Sequence, residues 1–437
     1  MIDMIYIAQN DTPQNTTKEI NIQQSGLVHS KVAGRFEIVK ELPKKTDSFD
    51  NMFNYADTFG KIKLAYINNA DKISNIANKE NKQAFALGAE FGFKSAEYNG
   101  FKTNILAYTS QNLTFINPNK NSINEDFFID DSSSFTYIGE ASIAYSNDRV
   151  DMKFGRIKIE TPYANSDDIR LAPNTFEGAW TNINFTDELQ SQVIYLKRWA
   201  GFDSQDLDSG ASQHKFKHLI DEDKFGMIGA SLTYEYAKNS ELSFWYNYID
   251  GMSAIAYAEV IGIYFIDGEG FHIDYGFQVS NIQELDDSGV EGNVLGALAI
   301  LHYNGAFLGT SYNIAYSDEG KSVSNGFGGG PYYTSLAEAT ISAISEGASS
   351  KSKSNNDAEV YRIALGYELE NIGLNGLVIE GAYGELSNDL GSIIEKDFVI
   401  TYEMNEKWNL EATYINYKSS CDNNSFDRTL VKVDYSF

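Results

Sequence analysis

Charged side chains of both signs stand close together between residues 153 and 170. Lysine and arginine donate hydrogen bonds to carboxylates, and the planar fork of arginine donates two at once. When such cations face carboxylates across a narrow, low-dielectric passage, the field aligns dipolar solutes and selects them by sign. These residue types therefore suit the guiding of small charged solutes. The candidates in this segment are Lys153, Arg156, Lys158, Asp167, Asp168 and Arg170.

The histidines carry a weaker chemical signal. His214 and His218 have the spacing of two metal ligands on one helix face, but no third ligand is evident. His272 stands near Asp274 on one predicted strand, where a lone histidine is more often a polar wall residue than a catalyst. No nucleophile, base and acid stand in a recognisable pattern. The sequence therefore predicts neither an enzyme nor a metal centre.

One acidic loop resembles part of a calcium site. Asp203, Asp206, Asp208 and Gly210 have suitable spacing, but the closing bidentate glutamate is missing. A flexible acidic loop is the simpler interpretation. We expect no cofactor, with calcium at this loop as the alternative.

The charge of the chain excludes nucleic acid as a partner. The 437 residues carry a formal net charge of −27, which repels phosphates. The single cysteine, Cys421, excludes a disulfide framework and a multi-cysteine zinc site. No apolar run reaches the roughly 18 residues that a membrane-spanning helix needs. Residues 1–8 are apolar but contain Asp3 where a signal peptide has basic residues, so we expect a mature or truncated chain.

Apolar and polar side chains alternate along most of the chain. In residues 271–279 every odd position is apolar and every even one is polar or glycine. In residues 135–145 the same alternation puts Phe135 and Tyr137 on one face with Ile143. Period two is the signature of β-strands. The 28 Tyr and 27 Phe, against 4 Trp, favour strands and the aromatic girdles of membrane barrels.

The connections between these runs alternate in length. Short ones include Asp-Gly at 267–268 and Asn-Gly at 304–305, the strongest signals of a tight hairpin. Short turns on one rim and long loops on the other are the plan of a bacterial outer-membrane barrel. The predicted long loops are 68–82, 109–133, 158–175, 200–223, 280–292, 317–356, 384–392 and 418–426, with a brief one near 250–253.

The strand count sets the domain organisation. Counting from residue 60 gives about eighteen strands, and an even number puts both termini on the periplasmic side. We predict an all-β fold, a transmembrane antiparallel β-barrel over residues 59–437. Residues 1–58 are an N-terminal extension, either periplasmic or folded into the lumen. Residues 31–39 also look strand-like, but including them would make the count odd.

The end of the chain supports a membrane location. Val431, Val433 and Tyr435 alternate with polar residues, and the last residue is Phe437. This ending resembles the signal that the outer-membrane assembly machinery recognises. A soluble all-β protein is the alternative, because period two alone does not say which face meets water. Aromatic content, strand length and alternating turn lengths favour the membrane barrel.

A longer motif points to one family. Residues 155–180 read GRIKIETPYANSDDIRLAPNTFEGAW. This resembles the third loop of OprD-type porins, with Gly-Arg, then Thr-Pro, then Asp-x-Arg-Leu-x-Pro-x-Thr-Phe-x-Gly. Residues 60–68 are similar to the first strand of the family, and residues 97–113 to a hairpin arm of its campylobacterial relatives. Residues 199–203 fit a later loop.

The resemblance implies a pore narrowed by an inward-folded third loop, with a ladder of basic side chains that guides carboxylate-bearing solutes. By the motif, Arg156 and Arg170 flank or lie in the constriction, and Asp167 and Asp168 supply its acidic side. Alternation, however, puts Arg156 on the lipid face unless the strand ends or bulges at Gly155, or unless Arg156 lies at the membrane interface.

Strand alternation adds candidates outside the motif. Either Lys197 or Arg198 faces inward, and we take Arg198 as the candidate. Acidic residues also face inward, so the lumen could favour cations, and the sign of selectivity stays open. The inward cations are Lys61, Lys63, Lys153, Arg362 and Lys432, and the inward acids are Glu90, Glu140, Asp151, Glu235, Asp274, Glu368 and Glu411.

These observations favour a passive channel for small hydrophilic solutes and ions, carboxylate-bearing nutrients among them, in the outer membrane of a Gram-negative bacterium. The alternative is a surface-exposed adhesin or envelope structural protein, which would act through the long loops 109–133 and 317–356. The expected partners are outer-membrane lipid and lipopolysaccharide, small polar solutes, and the barrel assembly machinery through Phe437. Both a monomer and a homotrimer fit the sequence.

Overall fold

The computed structural model describes most of the chain. The predicted strand at 31–39, most of the extension 1–58 and three of the four calcium-loop residues lie outside the described part. The described residues are 45–72, 81–117, 122–205, 213–268, 270–342, 357–421 and 424–437.

Eighteen antiparallel strands close into one barrel, which confirms the predicted fold. Each strand pairs with the next along the chain, and the last pairs with the first, so that Lys61 lies opposite Ser436. The barrel begins at Asp57, two residues before the predicted boundary. The strands are β1 (Asp57–Asp71), β2 (Asn81–Lys94), β3 (Phe101–Asn112), β4 (Phe135–Ser146), β5 (Val150–Ile157), β6 (Thr175–Asn184), β7 (Leu189–Ala200), β8 (Met227–Ala237), β9 (Ser240–Ile249), β10 (Ser253–Asp267), β11 (Phe271–Glu284), β12 (Gly292–Tyr303), β13 (Ala306–Tyr316), β14 (Ala358–Glu368), β15 (Leu377–Asn388), β16 (Gly391–Glu403), β17 (Trp408–Ser419) and β18 (Ser425–Ser436).

The apolar face of the strands points outward. On β11, Phe277 is 60% exposed while Asp274 is 4% exposed. On β14, Leu365 is 62% exposed while Arg362 is 3% exposed. A soluble protein would bury the apolar face, whereas a membrane barrel presents it to lipid. Among the described residues, no helix is long and apolar enough to cross a membrane.

A bulge interrupts the predicted alternation of side chains on β4. The pairing of β3 with β4 shifts by one residue between Leu106 and Ala107, and Gly139 is left unpaired. Phe135 is therefore buried inside, whereas Ile143 is 55% exposed on the outer face. Simple alternation along the sequence predicts that the two share one face. The inserted residue makes this prediction wrong, because it reverses the direction of every side chain beyond it.

Turn lengths differ between the two rims, with local departures from the prediction. Asn304 and Gly305 have φ values of 48° and 83°, as the predicted two-residue hairpin requires. The connection after β10 spans 268–270, one residue later than the predicted Asp-Gly turn. The predicted long loop 384–392 is wrong, because β15 and β16 extend to a two-residue turn at 389–390.

Three of the long loops fold into the barrel with the parts that the structure describes. Phe127 and Phe128 of loop 113–134 and Tyr332 and Tyr333 of loop 317–357 are at most 1% exposed. Loop 158–174 is buried between them, which confirms the predicted inward third loop. The main apolar cluster therefore joins strand side chains to loop side chains inside the barrel.

The described end of the N-terminal extension lies at the rim of short turns. A helix, Phe49–Asn54, precedes β1, and the backbone N–H of Ala96 donates to the carbonyl of Met52 at 2.8 Å. The short strand Lys45–Thr46 pairs with Glu97–Tyr98. This segment lies beside the barrel mouth, and residues 1–44 are outside the described part.

Candidate solute pathway

A cavity of about 590 Å³ lies inside the barrel between loop 158–174 and the rim of short turns. Nine cationic and eight acidic side chains line it, which is far closer to balance than the chain as a whole. The cations are Lys61, Lys63, Lys94, Lys102, Lys153, Lys158, Arg170, Lys407 and Lys432, and the acids are Glu90, Glu140, Glu160, Asp168, Glu403, Glu406, Glu411 and Asp434.

Strand alternation puts the lysines on the inner wall. Lys61 and Lys63 stand two apart on β1, and Lys432 stands on the neighbouring strand β18, opposite Ala65. Lys153 lines the cavity from β5, with its ammonium 5.8 Å from the ring of Trp180 on the neighbouring strand β6. The cavity is thus lined by ammonium groups from more than one side.

Lys63 connects the wall to the inward loop. Its side chain is 3% exposed, and its Nζ lies 2.7 Å from Glu90 and 3.2 Å from Asp168. It also donates to the carbonyl of Leu171 at 3.5 Å. Burial alone would raise the pKa of Asp168, but the positive charges of Lys63 and neighbouring lysines outweigh it and hold that pKa well below its usual range.

Arg170 holds a second cluster at the tip of the same loop. Its guanidinium lies 3.1 Å from Asp126, 3.6 Å from Glu338 and 4.6 Å from the ring of Phe202. Arg428 on β18 contacts Glu338 and lies 3.5 Å from Asp126. Two arginines and two carboxylates therefore join three inward loops to the barrel wall.

Further contacts fix the longest inward loop. The carboxylate of Glu395 accepts hydrogen bonds from the backbone N–H groups of Glu338 and Ala339 at 2.9 and 2.8 Å. Arg362 donates to the carbonyl of Tyr333 at 3.4 Å. Arg362 faces inward as predicted, but loop 317–357 covers it, and it does not line the cavity.

Packing also holds loop 158–174. Tyr163 is fully buried and shares a hydrogen bond of 2.6 Å with Ser280 of β11. Burial raises the pKa of Tyr163 to about 12, so its hydroxyl stays protonated at neutral pH. The loop is therefore anchored by apolar contacts as well as by charge.

Two predicted site residues lie elsewhere. Arg156 pairs in register with Ala141 and Glu177 without a bulge, and it stays on the strand face of Phe154, which is 68% exposed. Arg198 donates two hydrogen bonds of 2.6 Å to the carboxylate of Glu177. Neither arginine lines the cavity. The unbroken register of β5 with β6 keeps Arg156 on the outer face. The register shift between β6 and β7 leaves Lys197 without a register partner on β6 and pairs Arg198 with Glu177, on the same outer face as Arg156.

The structure brings together half of the predicted set. Lys153, Lys158, Asp168 and Arg170 line the cavity, and Asp167 is buried beside them in the loop. The predicted set left out Lys94, Lys102 and Arg428, although strand alternation places all three on the inward face. It also missed Asp126 and Glu338, which lie on loops where no periodicity indicates orientation.

The calcium prediction stays untested, because Asp206, Asp208 and Gly210 lie outside the described residues. Within the described part, Asp203 accepts a hydrogen bond of 2.7 Å from the side chain of Asn174. Asp203 therefore helps to join loop 158–174 to the following long loop.

Comparison with known proteins agrees with this architecture. The family model "outer membrane porin, OprD family" matches residues 66–435. No curated protein sequence matches the chain.

Solved structures share the fold at low sequence identity. A Pseudomonas aeruginosa OpdK structure with vanillate superposes with a TM-score of 0.72 at 15% identity, covering 88% of this chain and 99% of that one. A BenF-like porin from Pseudomonas fluorescens Pf-5 gives 0.74 at 13% identity, covering 88% and 99%. OccAB3 from Acinetobacter baumannii gives 0.70 at 17%, covering 87% and 99%. The family match covers most of the barrel, so this chain belongs to the OprD family of porins, which are channels of the Gram-negative outer membrane.

Proposed function

We propose that this porin conducts small carboxylate-bearing solutes through the lysine-lined cavity. The observation that carries the proposal is the balance of charged side chains in the cavity lining. The whole chain has 61 acidic residues against 34 basic ones, yet cations slightly outnumber acids around the cavity. An ammonium group in a confined, low-dielectric passage attracts a carboxylate more strongly than it would in bulk water.

The acidic side chains of the lining limit how tightly a solute carboxylate can bind to the lysines. Lys432 lies 3.3 Å from Glu411, and Lys63 is shared between Glu90 and Asp168. A solute carboxylate must therefore compete with these partners for each ammonium group. Conduction requires binding that is favourable enough for entry and weak enough for release. Paired lysines meet both requirements.

The relatives are consistent with this solute class. One OpdK structure contains vanillate, an aromatic carboxylate. The chain shares only the fold with that protein, so vanillate itself is not inferred as its substrate. The proposal concerns the carboxylate group of the solute, and it covers aromatic and aliphatic carboxylates alike.

We also propose that the chain acts purely as a channel, without catalysis. The family and the fold support this view. An adhesin would depend on loops 109–133 and 317–356, yet Phe128 and Tyr333 in their described parts are packed inside the barrel. These described parts of the two loops offer little surface to a host or matrix partner.

The test is the interruption of single-channel current by added benzoate and succinate. The triple variant Lys61→Gln, Lys153→Gln, Lys432→Gln removes ammonium groups from three strands. Because a charged hydrogen bond contributes about 1.5–3 kcal/mol, we expect carboxylate affinity to fall about tenfold or more. The triple variant Lys215→Gln, Lys238→Gln, Lys418→Gln is the matched control, since it removes the same charge at three exposed positions outside the cavity lining.

Two results would overturn the proposal. One is the absence of carboxylate-dependent interruptions in the unmodified channel. The other is an equal loss of affinity in the triple control, which would show that total charge acts rather than the cavity. Benzamide, a neutral analogue of benzoate, controls for attraction to the ring alone.

A further inference from the structure

Two histidines and an aspartate meet on the inner wall, away from the lysine-lined cavity. His272 of β11 and His302 of β12 are direct cross-strand partners. Asp274 stands two residues beyond His272, on the same inward face. His272 is 8% exposed and Asp274 is 4% exposed, so the group is withdrawn from bulk water.

The donor atoms of this group converge. His302 Nε2 lies 3.4 Å from Asp274 Oδ2, and His272 Nε2 lies 3.8 Å from Asp274 Oδ1. One donor atom from each residue falls within 4.8 Å of the others. The imidazole rings stack with centroids 4.4 Å apart and planes 9° apart. The continuous antiparallel pairing of β11 with β12 holds both rings in register.

Two of the donor atoms lack hydrogen bonds. Within the described residues, Asp274 Oδ1 and His302 Nε2 are buried and make none. A buried polar atom without a partner carries a desolvation cost of about 1–3 kcal/mol. A bound cation would satisfy both atoms at once, because it accepts the lone pairs of carboxylate and imidazole together.

The spacing suits a small divalent transition metal. Zinc binds imidazole nitrogen and carboxylate oxygen at about 2.0–2.2 Å, so ligand atoms in a tetrahedral site stand about 3.3 Å apart. The distance of 3.4 Å between His302 Nε2 and Asp274 Oδ2 already matches, and His272 must move closer to these two atoms, since the three donor atoms lie within 4.8 Å of one another. Imidazole ligands favour zinc, copper and nickel over magnesium and calcium.

We propose that His272, Asp274 and His302 form a binding site for a divalent transition metal of the zinc and copper class. Three protein ligands leave one tetrahedral position for water or a solute. The metal would also join β11 to β12 at the rim of short turns. A motif search would not detect this site, because His302 lies 28 positions or more from either partner and only strand pairing brings it close.

The experiment is a zinc titration of the full chain, folded in detergent, free of any histidine tag and stripped with chelator. Isothermal titration calorimetry in excess magnesium should show one saturable site. Loss of an outer partner alone typically costs a metal site about 10–100-fold, so His302→Gln and Asp274→Asn should each weaken zinc binding at least tenfold. The double variant His214→Gln, His218→Gln is the matched control and should bind zinc like the parent.

Retained heat-modifiable gel mobility should show that each variant is folded, and His272→Gln serves if one variant is not. Zinc should also raise the thermal unfolding midpoint of the parent but not that of His302→Gln. The proposal is overturned if the parent binds no zinc in excess magnesium. It is also overturned if folded His302→Gln binds as tightly as the parent, or if only the control variant loses binding.

Discussion

Lys63 and Asp168 join the barrel wall to the inward loop through an ion pair of 3.2 Å, formed where the lysine side chain is 3% exposed. The same ammonium also lies 2.7 Å from Glu90. One buried cation is therefore shared between two carboxylates, one from the neighbouring strand and one from the loop. The position of the loop, and with it the width of the pathway, depends on this group.

Replacing Lys63 should loosen loop 158–174. Removing one partner of a buried ion pair typically costs about 3–5 kcal/mol, because the remaining charge is left buried and unpaired. We expect Lys63→Met to form barrels whose open-channel current is noisier than that of the parent. Lys102→Met is the control, since Lys102 lines the same cavity on β3. Equal noise in the two variants would show that the ion pair does not hold the loop.

The pH dependence of the loop follows from the pKa of Asp168. Its pKa is depressed below the ordinary value of 3.8 by the surrounding lysines. The stabilisation from its carboxylate is complete above that ordinary value and is lost as the pH falls through the depressed pKa. Current noise should therefore stay constant from neutral pH down to 3.8 and rise only below it. A rise that begins well above 3.8 and is abolished in Asp168→Asn would contradict the depressed pKa.

Arg170 should control both the size and the sign selectivity of the pathway. Arg170→Gln leaves Asp126 and Glu338 with Arg428 as their described cationic partner, so the local field becomes more negative. We expect larger conductance and a reversal potential shifted toward cation selectivity. Arg170→Lys retains the charge but not the fork, and it should shift the reversal potential much less. Equal shifts in the two variants would show that geometry acts rather than charge.

Gly178 marks a close backbone approach at the bulge between β6 and β7. A Cβ atom there would lie 1.9 Å from the carbonyl oxygen of Tyr195, so the two strands would have to separate. Overpacking costs about 1–3 kcal/mol, and we expect Gly178→Ala to lower the urea midpoint accordingly. Gly381→Ala is the control, because its nearest neighbour would lie 3.7 Å away. Unchanged stability in Gly178→Ala would show that the strands can adjust.

Local periodicity predicted much of the wall but not the loops. Alternation on β1 and β18 correctly placed Lys61 and Lys432 inside, because a strand side chain has only two directions. It failed on β4, where the insertion at Gly139 reverses the faces of Phe135 and Ile143. A glycine inside a strand pattern can indicate a bulge, but Gly88 and Gly92 pair in register on β2, so glycine alone did not identify this one.

The constriction could not be predicted from sequence in the same way. Arg170 was identified from a motif, but Asp126, Glu338 and Arg428 come together only after three loops enter one barrel. The family motif also placed Arg156 at the constriction, although the alternation of side chains on its strand placed it on the outer face. The register of β5 with β6 shows that the prediction from alternation was correct.

The most direct test of the proposed pathway is a single-channel recording in a planar bilayer with a potassium chloride gradient. The parent protein should open in stable steps, and its reversal potential should move toward cation selectivity when Lys61, Lys153 and Lys432 are replaced by glutamine. Absence of conductance from protein that circular dichroism shows to be folded would contradict a pore. A reversal potential unchanged by the three substitutions would contradict a pathway through the lysine-lined cavity.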